Sequence, residues 1–464
     1  MVDLSEAGAR LREYRPEPTP SVAVIVARRD RRRRRRRVTG GLAGLAFVAA
    51  VVVVAVAVIS PRHTRTRIAT ASGGGRRGHG AAVSATAASL AAGRWSTMPA
   101  APVPARLEPS VLWTGSELIV WGGYSVNPER IYGDGAAYNP TTNRWRVLPP
   151  SPLGARNGQT AVWTGSEMVV WGGYDQENPS LHVTADGAAF DPTTNKWKML
   201  PPAPLSARAD ARGVWTGRGV FILGGHPDVV TSAKDNDTDG ALYDPTSNIW
   251  HHVAAPGAPG DHGLLWWMAV RAGDQVLAWS EWFTQPTSTD ESAIGGGVDL
   301  FTYNEQSGQW RLVPTGADPV QGMTEAIWTG RYVVVRGTAN YCPSCNGPAP
   351  PESTALYDPT HQTWTAIPAD PLALVHPLSV WTGAALLSID VSGTAGTTKP
   401  GDSTAYDPTS RQWVTLPSAP YGCDDLAPPF GSVAWTGRQV VLYCQTSSPT
   451  QNGNGAGLVL TPGP

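Results

Sequence analysis

An alternating acidic sequence, Asp-Asn-Asp-Thr-Asp-Gly, occupies residues 235–240. The spacing of Asp235, Asp237 and Asp239 is typical of loops in which alternate carboxylates converge on Ca²⁺. The Glu that completes such a loop at its twelfth position is replaced by Thr246, and the same Asp-Gly pair occurs twice earlier in the chain. The sequence therefore predicts either a calcium site or a solvated acidic loop that belongs to a repeated turn.

The chain contains four cysteines, Cys342, Cys345, Cys423 and Cys444. The Cys-Pro-Ser-Cys spacing of the first two is compatible with a redox motif or with half of a zinc site, but no second Cys-x-x-Cys follows. We therefore predict two local disulfides, Cys342–Cys345 and Cys423–Cys444, with a shared zinc site as the alternative.

Three arginines, Arg106, Arg156 and Arg208, recur about 50 residues apart. Guanidinium groups that cluster on an acidic protein can clamp the carboxylate of a ligand. In the alternative, each arginine binds backbone carbonyls of a neighbouring loop. No set of nucleophile, base and orienting group can be assembled from the sequence, which favours binding over catalysis.

The arginines follow an internal repeat that runs from Trp95 to the end of the chain. A Trp-Thr-Gly element recurs at about the same interval, and a degenerate copy, Arg-Ala-Gly, lies at 271–273. Its six tryptophans are Trp113, Trp163, Trp215, Trp328, Trp381 and Trp435. A second series pairs a Tyr or Phe with a Trp seven residues later, as at Tyr138 and Trp145. A fixed period near 50 indicates a repeat architecture, and tryptophans that recur at this period indicate its core.

Each repeat predicts four short antiparallel strands. Two β-rich runs flank Thr-Gly, and two more flank Pro-Thr-Thr-Asn, both of which are turn sequences. Seven hairpins and seven Trp strands can be counted, but the first Trp strand, at 94–98, precedes every hairpin. We therefore predict an all-β, seven-bladed propeller in which strand 94–98 completes the last blade by pairing around Leu458–Leu460.

The repeat resembles the kelch repeat, in the propeller type shared with the galactose oxidase central domain. The resemblance depends on the Gly pairs 122–123, 172–173 and 224–225, on the Tyr-Asp-Pro…Trp strands, and on the three recurring arginines. It implies a kelch-type propeller over 94–464. Galactose oxidases would imply copper held by two Tyr and two His, but no Tyr-His neighbour pair of that kind occurs, so we expect no copper chemistry.

The N-terminal part predicts a membrane anchor. Residues 38–60 form a 23-residue stretch without charge, which is long enough to cross a bilayer as one helix. Nine arginines lie between Arg28 and Arg37, so the positive-inside rule places residues 1–37 in the cytoplasm. Residues 61–93 are expected to be a flexible linker, and 94–464 the propeller. A cleaved signal peptide is the alternative.

The N-terminal part and the propeller differ in net charge, and the charge of the propeller argues against nucleic acid as its ligand. Residues 1–93 carry 17 Arg and 5 acidic residues, whereas residues 94–464 carry 19 basic and 32 acidic residues. An acidic body does not attract phosphate backbones, so we expect no nucleic acid as its ligand. The sequence favours a single-pass cell-membrane protein whose extracellular propeller binds a protein or glycan through its loops; a sugar-directed enzyme, an epimerase or a reworked galactose oxidase, is the alternative.

Overall fold

The computed structural model describes residues 85–126, 129–177, 180–227, 237–257, 266–283, 296–314, 320, 323–338, 352–374, 377–390, 399, 401–420, 431–444 and 456–464. The elements in chain order are α1 (Ala87–Ala91), β1 (Arg94–Thr97), β2 (Ser110–Trp113), β3 (Leu118–Trp121), β4 (Tyr124–Val126), β5 (Glu129–Ile131), β6 (Gly135–Asn139), β7 (Arg144–Val147), β8 (Thr160–Trp163), β9 (Met168–Trp171), β10 (Tyr174–Glu177), β11 (Ser180–Val183), β12 (Gly187–Asp191), β13 (Lys196–Met199), β14 (Arg212–Trp215), β15 (Val220–Leu223), β16 (Gly240–Asp244), β17 (Ile249–Val253), β18 (Trp266–Ala272), β19 (Gln275–Phe283), β20 (Gly296–Asn304), β21 (Gln309–Val313), β22 (Met323–Trp328), β23 (Val333–Thr338), β24 (Glu352–Asp358), β25 (Thr363–Ala366), β26 (Leu378–Trp381), β27 (Leu386–Ile389), β28 (Ser403–Asp407), β29 (Gln412–Thr415), β30 (Gly431–Trp435), β31 (Val440–Cys444) and β32 (Ala456–Thr461).

These strands form seven four-stranded antiparallel sheets, or blades. From the innermost strand outward, blades 1 to 7 are β2-β3-β6-β7, β8-β9-β12-β13, β14-β15-β16-β17, β18-β19-β20-β21, β22-β23-β24-β25, β26-β27-β28-β29 and β30-β31-β32-β1. Each inner strand contacts the inner strand of the next blade, and β30 contacts β2, so the ring is closed. The predicted all-β seven-bladed propeller is confirmed.

The hydrophobic core is divided among the seven interfaces between neighbouring blades. Each interface has its own cluster of buried residues, as where Leu112 and Trp121 of blade 1 meet Val170 of blade 2. A four-stranded sheet exposes two faces, and stacking in a ring covers both of them. The ring is therefore the arrangement in which every blade buries its apolar residues.

The N-terminal strand closes the ring by pairing with the C-terminal strand, as predicted. Trp95 pairs with Leu460, and Thr97 pairs with Leu458, so that β1 is the outer strand of blade 7. The Trp95 indole Nε1 also donates a 2.8 Å hydrogen bond to the carbonyl oxygen of Pro417, which follows the outer strand of blade 6. The seam is thus held by a sheet ladder and by a side chain that joins two blades.

The outer-strand tryptophans repeat this link around the ring. Those of blades 1 to 6 are half-buried and pack beside the aromatic residue opposite them on the third strand, and all of these except Trp364 donate the indole N–H to the preceding blade. The Trp364 indole N–H is buried without a hydrogen-bond partner among the described residues. The donor–acceptor pairs are Trp145–Pro99, Trp197–Pro149, Trp250–Pro201, Trp310–Ala254 and Trp413–Pro368. The Trp series therefore joins adjacent blades in addition to packing within each blade.

The two faces of the ring differ in their loops. Connections between second and third strands, such as 122–134, lie on one face together with the segments that link successive blades. We call this the long-loop face. The Trp-Thr-Gly turns and the turns between third and fourth strands lie on the other, the short-turn face. On the long-loop face, blades 1 and 2 carry the extra hairpins β4-β5 and β10-β11.

The chain enters the propeller at the short-turn face, between blades 6 and 7. Ala85 forms a parallel bridge with Gly383, and the hydroxyl of Thr382 donates a 2.6 Å hydrogen bond to its carbonyl. Helix α1 then packs on blade 6 and buries Leu90 completely. The linker boundary expected at residue 93 therefore shifts to before Ala85, because these residues fill the interface beside the seam. Residues 85–464 contain every strand of the closed ring.

Two sets of predictions fall outside the described residues. The cytoplasmic segment 1–37, the membrane span 38–60 and most of the linker precede Ala85. Within the described part, no helix has the length and apolar character needed to span a membrane. Cys342, Cys345 and Cys423 also lie outside it, while Cys444 ends β31, so both predicted disulfides stay predictions.

Candidate binding site on the long-loop face

Each of the three recurring arginines clamps the Gly-pair loop of its own blade. The Arg106 side chain is fully buried and donates 3.3 Å and 3.0 Å hydrogen bonds to the carbonyls of Gly122 and Asp134. A third bond, of 2.9 Å, reaches the Asp134 carboxylate. Arg156 and Arg208 repeat the pattern with Gly172 and Asp186 and with Gly224 and Asp239.

The Gly pair is required by the path of the backbone beside the clamp. Gly122 and Gly123 have φ values of 70° and 91°, in the region that favours glycine. A Cβ on Gly123 would lie 2.5 Å from the carbonyl oxygen of Leu107. The arginine thus satisfies the carbonyls of a tight turn, which is the alternative stated above. The three guanidiniums are held in separate blades, and their role as a shared ligand clamp stays a prediction.

The acidic residues of the candidate calcium loop contact the clamp of blade 3. Asp237 Oδ2 lies 3.3 Å from Arg208 Nε, and the Asp239 carboxylate binds both Arg208 and His252, each at 2.9 Å. Burial raises the pKa of Asp237 despite the arginine. Burial also acts to raise the pKa of Asp239, but the bonds from His252 and Arg208 outweigh it and lower that pKa.

The structure describes two of the three carboxylates that the sequence predicts as calcium ligands, Asp237 and Asp239. Asp235 lies outside the described residues, and the described ones include no cluster of three or more His, Cys, Asp or Glu residues that is placed to hold a metal ion. Asp239 occupies the position of Asp134 and Asp186, each of which binds the arginine of its own blade. Calcium stays a prediction, and the described contacts are those of the repeated clamp.

A hydrogen-bonded trio joins blades 2 and 3 on the same face. His226 Nε2 lies 2.8 Å from the Asp210 carboxylate, and His226 Nδ1 lies 3.3 Å from the Tyr174 hydroxyl and 3.2 Å from the carbonyl of Pro227. Both ring nitrogens face oxygen atoms, and a neutral ring can donate from Nε2 to Asp210 and accept at Nδ1 from the Tyr174 hydroxyl. The Asp210 N–H also donates to the Gly158 carbonyl at 2.8 Å, which fixes the trio across the blade interface.

Arg212 lies beside this trio, on the inner strand of blade 3. Its Nε donates a 2.9 Å hydrogen bond to the Trp267 carbonyl of blade 4, and within the described residues the rest of its guanidinium makes no further hydrogen bond. Burial lowers the pKa of Arg212, and the charge of Asp210 opposes that shift. The side chain is partly exposed, so its Nη1 and Nη2 atoms, which make no hydrogen bond to a described residue, are available toward the centre of the long-loop face.

The equivalent inner-strand positions show why Arg212 stands out. They are Ser110, Thr160, Arg212, Met268, Glu325, Leu378 and Ser432. The one other charged residue, Glu325, is buried, lies 3.9 Å from Arg336 and accepts a 3.2 Å bond from the backbone N–H of Ser379. Arg212 is thus the partly exposed charge of this ring of positions.

Sequence reasoning singled out neither the trio nor Arg212. The available signal was a departure from the repeat: blades 1 and 2 have Glu108 and Gly158 where blade 3 has Asp210, and Ser110 and Thr160 where it has Arg212. Residues that break a repeat are free of its packing constraints. Such departures on a loop face are where a binding site is expected.

The closed ring of seven four-stranded blades defines a β-propeller. Residues 65–276 match the KLHDC2/KLHL20/DRC7 Kelch-repeats domain, which here spans blades 1 to 3 and the start of blade 4. The solved structure of YjhT is similar to the chain at 17% identity, over 57% of this chain and 84% of that one, with a TM-score of 0.42. No curated protein matches. The kelch-repeat prediction is supported over the matched residues 65–276.

Proposed function

We propose that this protein is a membrane-anchored recognition module whose propeller lies outside the cell and binds a partner protein through the long-loop face. Kelch repeats are consistent with a protein-binding module. The observation that carries the proposal is Arg212, whose partly exposed guanidinium lies toward the centre of that face with no described hydrogen-bond partner at Nη1 or Nη2. A guanidinium anchored at Nε is pre-organised to donate hydrogen bonds from its other nitrogen atoms to a carboxylate of the partner.

The point of entry of the chain supports the choice of face. Ala85 joins the ring at the short-turn face, beside Thr382 and Gly383. A tether attached there leaves the long-loop face on the side away from the attachment point. A partner could then reach Arg212 without displacing the segment that precedes Ala85.

Selection of binding peptides tests the proposal without knowledge of the natural partner. A displayed library of random peptides is selected on the full-length chain in mild detergent, and the enriched peptides are expected to share an acidic group. Arg212→Gln should weaken them roughly 10- to 100-fold, because a hydrogen bond to a charged group contributes about 1.5–3 kcal/mol. Arg218→Gln, on the short-turn face of the same blade, is the matched control and should leave binding unchanged.

Two results would contradict the proposal. One is enriched peptides that bind Arg212→Gln as tightly as the unaltered chain. The other is loss of binding with Arg218→Gln alone, which would assign recognition to the short-turn face. Near-ultraviolet circular dichroism checks that Arg212→Gln keeps the packing between blades 3 and 4, which the bond to Trp267 joins.

The proposed topology has its own support and test. Residues 38–60 form the uncharged span, and the arginines between Arg28 and Arg37 precede it, so the N-terminus is assigned to the cytoplasm. Protease added to intact cells, with access through any outer layer controlled for, should release the propeller. Complete protection of the propeller would contradict an external location. An oxidising compartment would also favour the two predicted disulfides.

A sugar-directed enzyme is the second candidate, favoured by the trio of Asp210, His226 and Tyr174 beside Arg212. An imidazole paired with a carboxylate can move a proton, and a nearby guanidinium can hold a sugar acid. In this case His226→Gln should abolish turnover of a sugar-acid substrate while Arg212→Gln chiefly raises KM. A screen of sugar acids in which the unaltered chain turns over none would remove this candidate.

A further inference from the structure

Four large apolar side chains are exposed among the described residues, and all four lie on outer strands. Val147 is 56% exposed, Met199 46%, Ile249 51% and Leu312 42%. They belong to β7, β13, β17 and β21, the outer strands of blades 1 to 4. The outer strands of blades 5 to 7 carry no such side chain within the described part. One side of the ring is therefore apolar at its circumference and the other is not.

Basic side chains accompany the apolar ones on blades 1 and 2. Arg144, Lys196 and Lys198 are exposed and have no ion-pair partner among the described residues. Arg146 differs, because it forms a 2.7 Å ion pair with Glu117. No acidic residue lies on either outer strand. These strands thus present net positive charge on a body that carries 19 basic and 32 acidic residues over 94–464.

The two outer strands are neighbours that hydrogen bonds join. Arg146 Nη1 donates a 2.7 Å hydrogen bond to Asn195 Oδ1, which directly precedes β13. The Trp197 indole donates a 3.1 Å bond to the carbonyl of Pro149, two residues after the end of β7. We call the surface made by Arg144, Val147, Lys196, Lys198 and Met199 the basic flank.

Protection of sheet edges does not explain where the basic flank lies. Lysine and arginine on an edge strand discourage pairing with another chain, and each of the seven blades has such an edge. The outer strands of blades 5 and 6, Thr363–Ala366 and Gln412–Thr415, carry no charge at all. Because the basic residues concentrate on neighbouring blades together with exposed apolar residues, the flank has the composition of a surface that binds anionic lipid.

We propose that the basic flank binds an anionic lipid surface, with Val147 and Met199 entering the headgroup region between the cationic side chains. The inference rests on the proposed membrane tether only because the tether would bring the propeller close to a lipid bilayer. If the span ends at residue 60, only 24 residues, 61–84, separate it from Ala85. Strand β1 is the outer strand of blade 7, next to blade 1, so such a tether keeps the flank within reach of the bilayer.

Vesicle co-sedimentation of residues 85–464, which contain the complete ring but not the proposed span, tests this directly. The fragment should sediment with vesicles rich in phosphatidylglycerol, should not sediment with phosphatidylcholine alone, and should be released by salt. The triple variant Arg144→Gln, Lys196→Gln, Lys198→Gln should bind on the order of 100-fold more weakly, because each charge near an anionic surface contributes roughly a fivefold effect.

A second triple variant separates the flank from net charge. Arg331→Gln, Arg411→Gln and Arg438→Gln remove three exposed arginines from the short-turn face and change the net charge by the same amount. This variant should bind nearly as well as the unaltered fragment. Equal loss in both triple variants would overturn the proposal, since attraction would then be a property of the whole body.

The apolar residues distinguish lipid from a protein occupant. Val147→Ser with Met199→Ser should weaken binding to anionic vesicles and leave the mass in solution unchanged. If sedimentation equilibrium shows a dimer that this double variant dissociates, the flank is an interface between copies and the lipid proposal is wrong. Absence of binding of the unaltered fragment to anionic vesicles also overturns it. The peptide selection with Arg212→Gln does not involve the flank, so each proposal can fail while the other stands.

Discussion

The segment before β1 offers a sharp test of the fold, because its sequence reads as a linker whereas the structure buries it. Leu90 of α1 has no exposed surface and packs with Leu458 and Leu460 of blade 7. A five-residue helix is not stable on its own in water, so packing alone holds it in place. Truncation by Leu90→Ala removes buried methyl groups and leaves a cavity, which costs about 3 kcal/mol at a fully buried site.

Urea unfolding followed by tryptophan fluorescence measures the effect, since all 19 tryptophans lie at or after Trp95. Ala88→Ser is the matched control, because Ala88 lies in the same helix with its side chain exposed, and it should change the free energy of unfolding by less than about 0.5 kcal/mol. A Leu90→Ala variant that unfolds at the midpoint of the unaltered chain would refute the packing of α1. It would return residues 85–93 to the linker.

Three further predictions concern the seam, the clamp and the cysteines. Trp95→Phe removes the indole bond to Pro417 and should lower the free energy of unfolding by about 1 kcal/mol, measured by thermal or urea unfolding; an unchanged midpoint would show that this bond contributes nothing. Asp239 has a lowered pKa in the fold, so its ionised form stabilises the protein above the unfolded value of about 3.9, and that contribution is lost as the pH falls through the folded pKa. Asp239→Asn should therefore be less stable at neutral pH and lose less stability on acidification, and a parallel pH profile would contradict this. Peptide mapping without reduction should recover Cys423 joined to Cys444, a bond that closes a loop of about 20 residues and contributes roughly 3 kcal/mol; recovery of free thiols would count against it.

The blades and their closure could be predicted because they depend on local and periodic signals. The Thr-Gly and Pro-Thr-Thr-Asn turns fix where strands reverse, and Asn143 adopts the positive φ of 53° that its turn requires. The unmatched first Trp strand predicts that strand 94–98 pairs around Leu458–Leu460, and in the structure Trp95 lies opposite Leu460. Turn residues are adjacent in sequence, and the repeats recur at a fixed period. Both can therefore be recognised from the sequence without knowledge of the tertiary structure.

The candidate site was harder to predict from the sequence, because its contacts join residues that are far apart along the chain. Arg106 was recognised as recurrent, but a guanidinium bound to loop carbonyls and one available to a ligand have the same sequence. Asp210, His226 and Tyr174 are separated by up to 52 residues and meet only because blades 2 and 3 are neighbours. Such contacts depend on the stacking of blades, which no local pattern reports.

The sequence by itself therefore determined the number of blades and the strand that closes them. Tertiary structure decided which side chains are used by the fold and which are left available. It placed Leu90 inside the seam and left Arg212 partly exposed toward the centre of the long-loop face. The physical reason is that period and turn residues specify each blade locally, whereas burial and charge pairing are settled between blades that are distant along the chain.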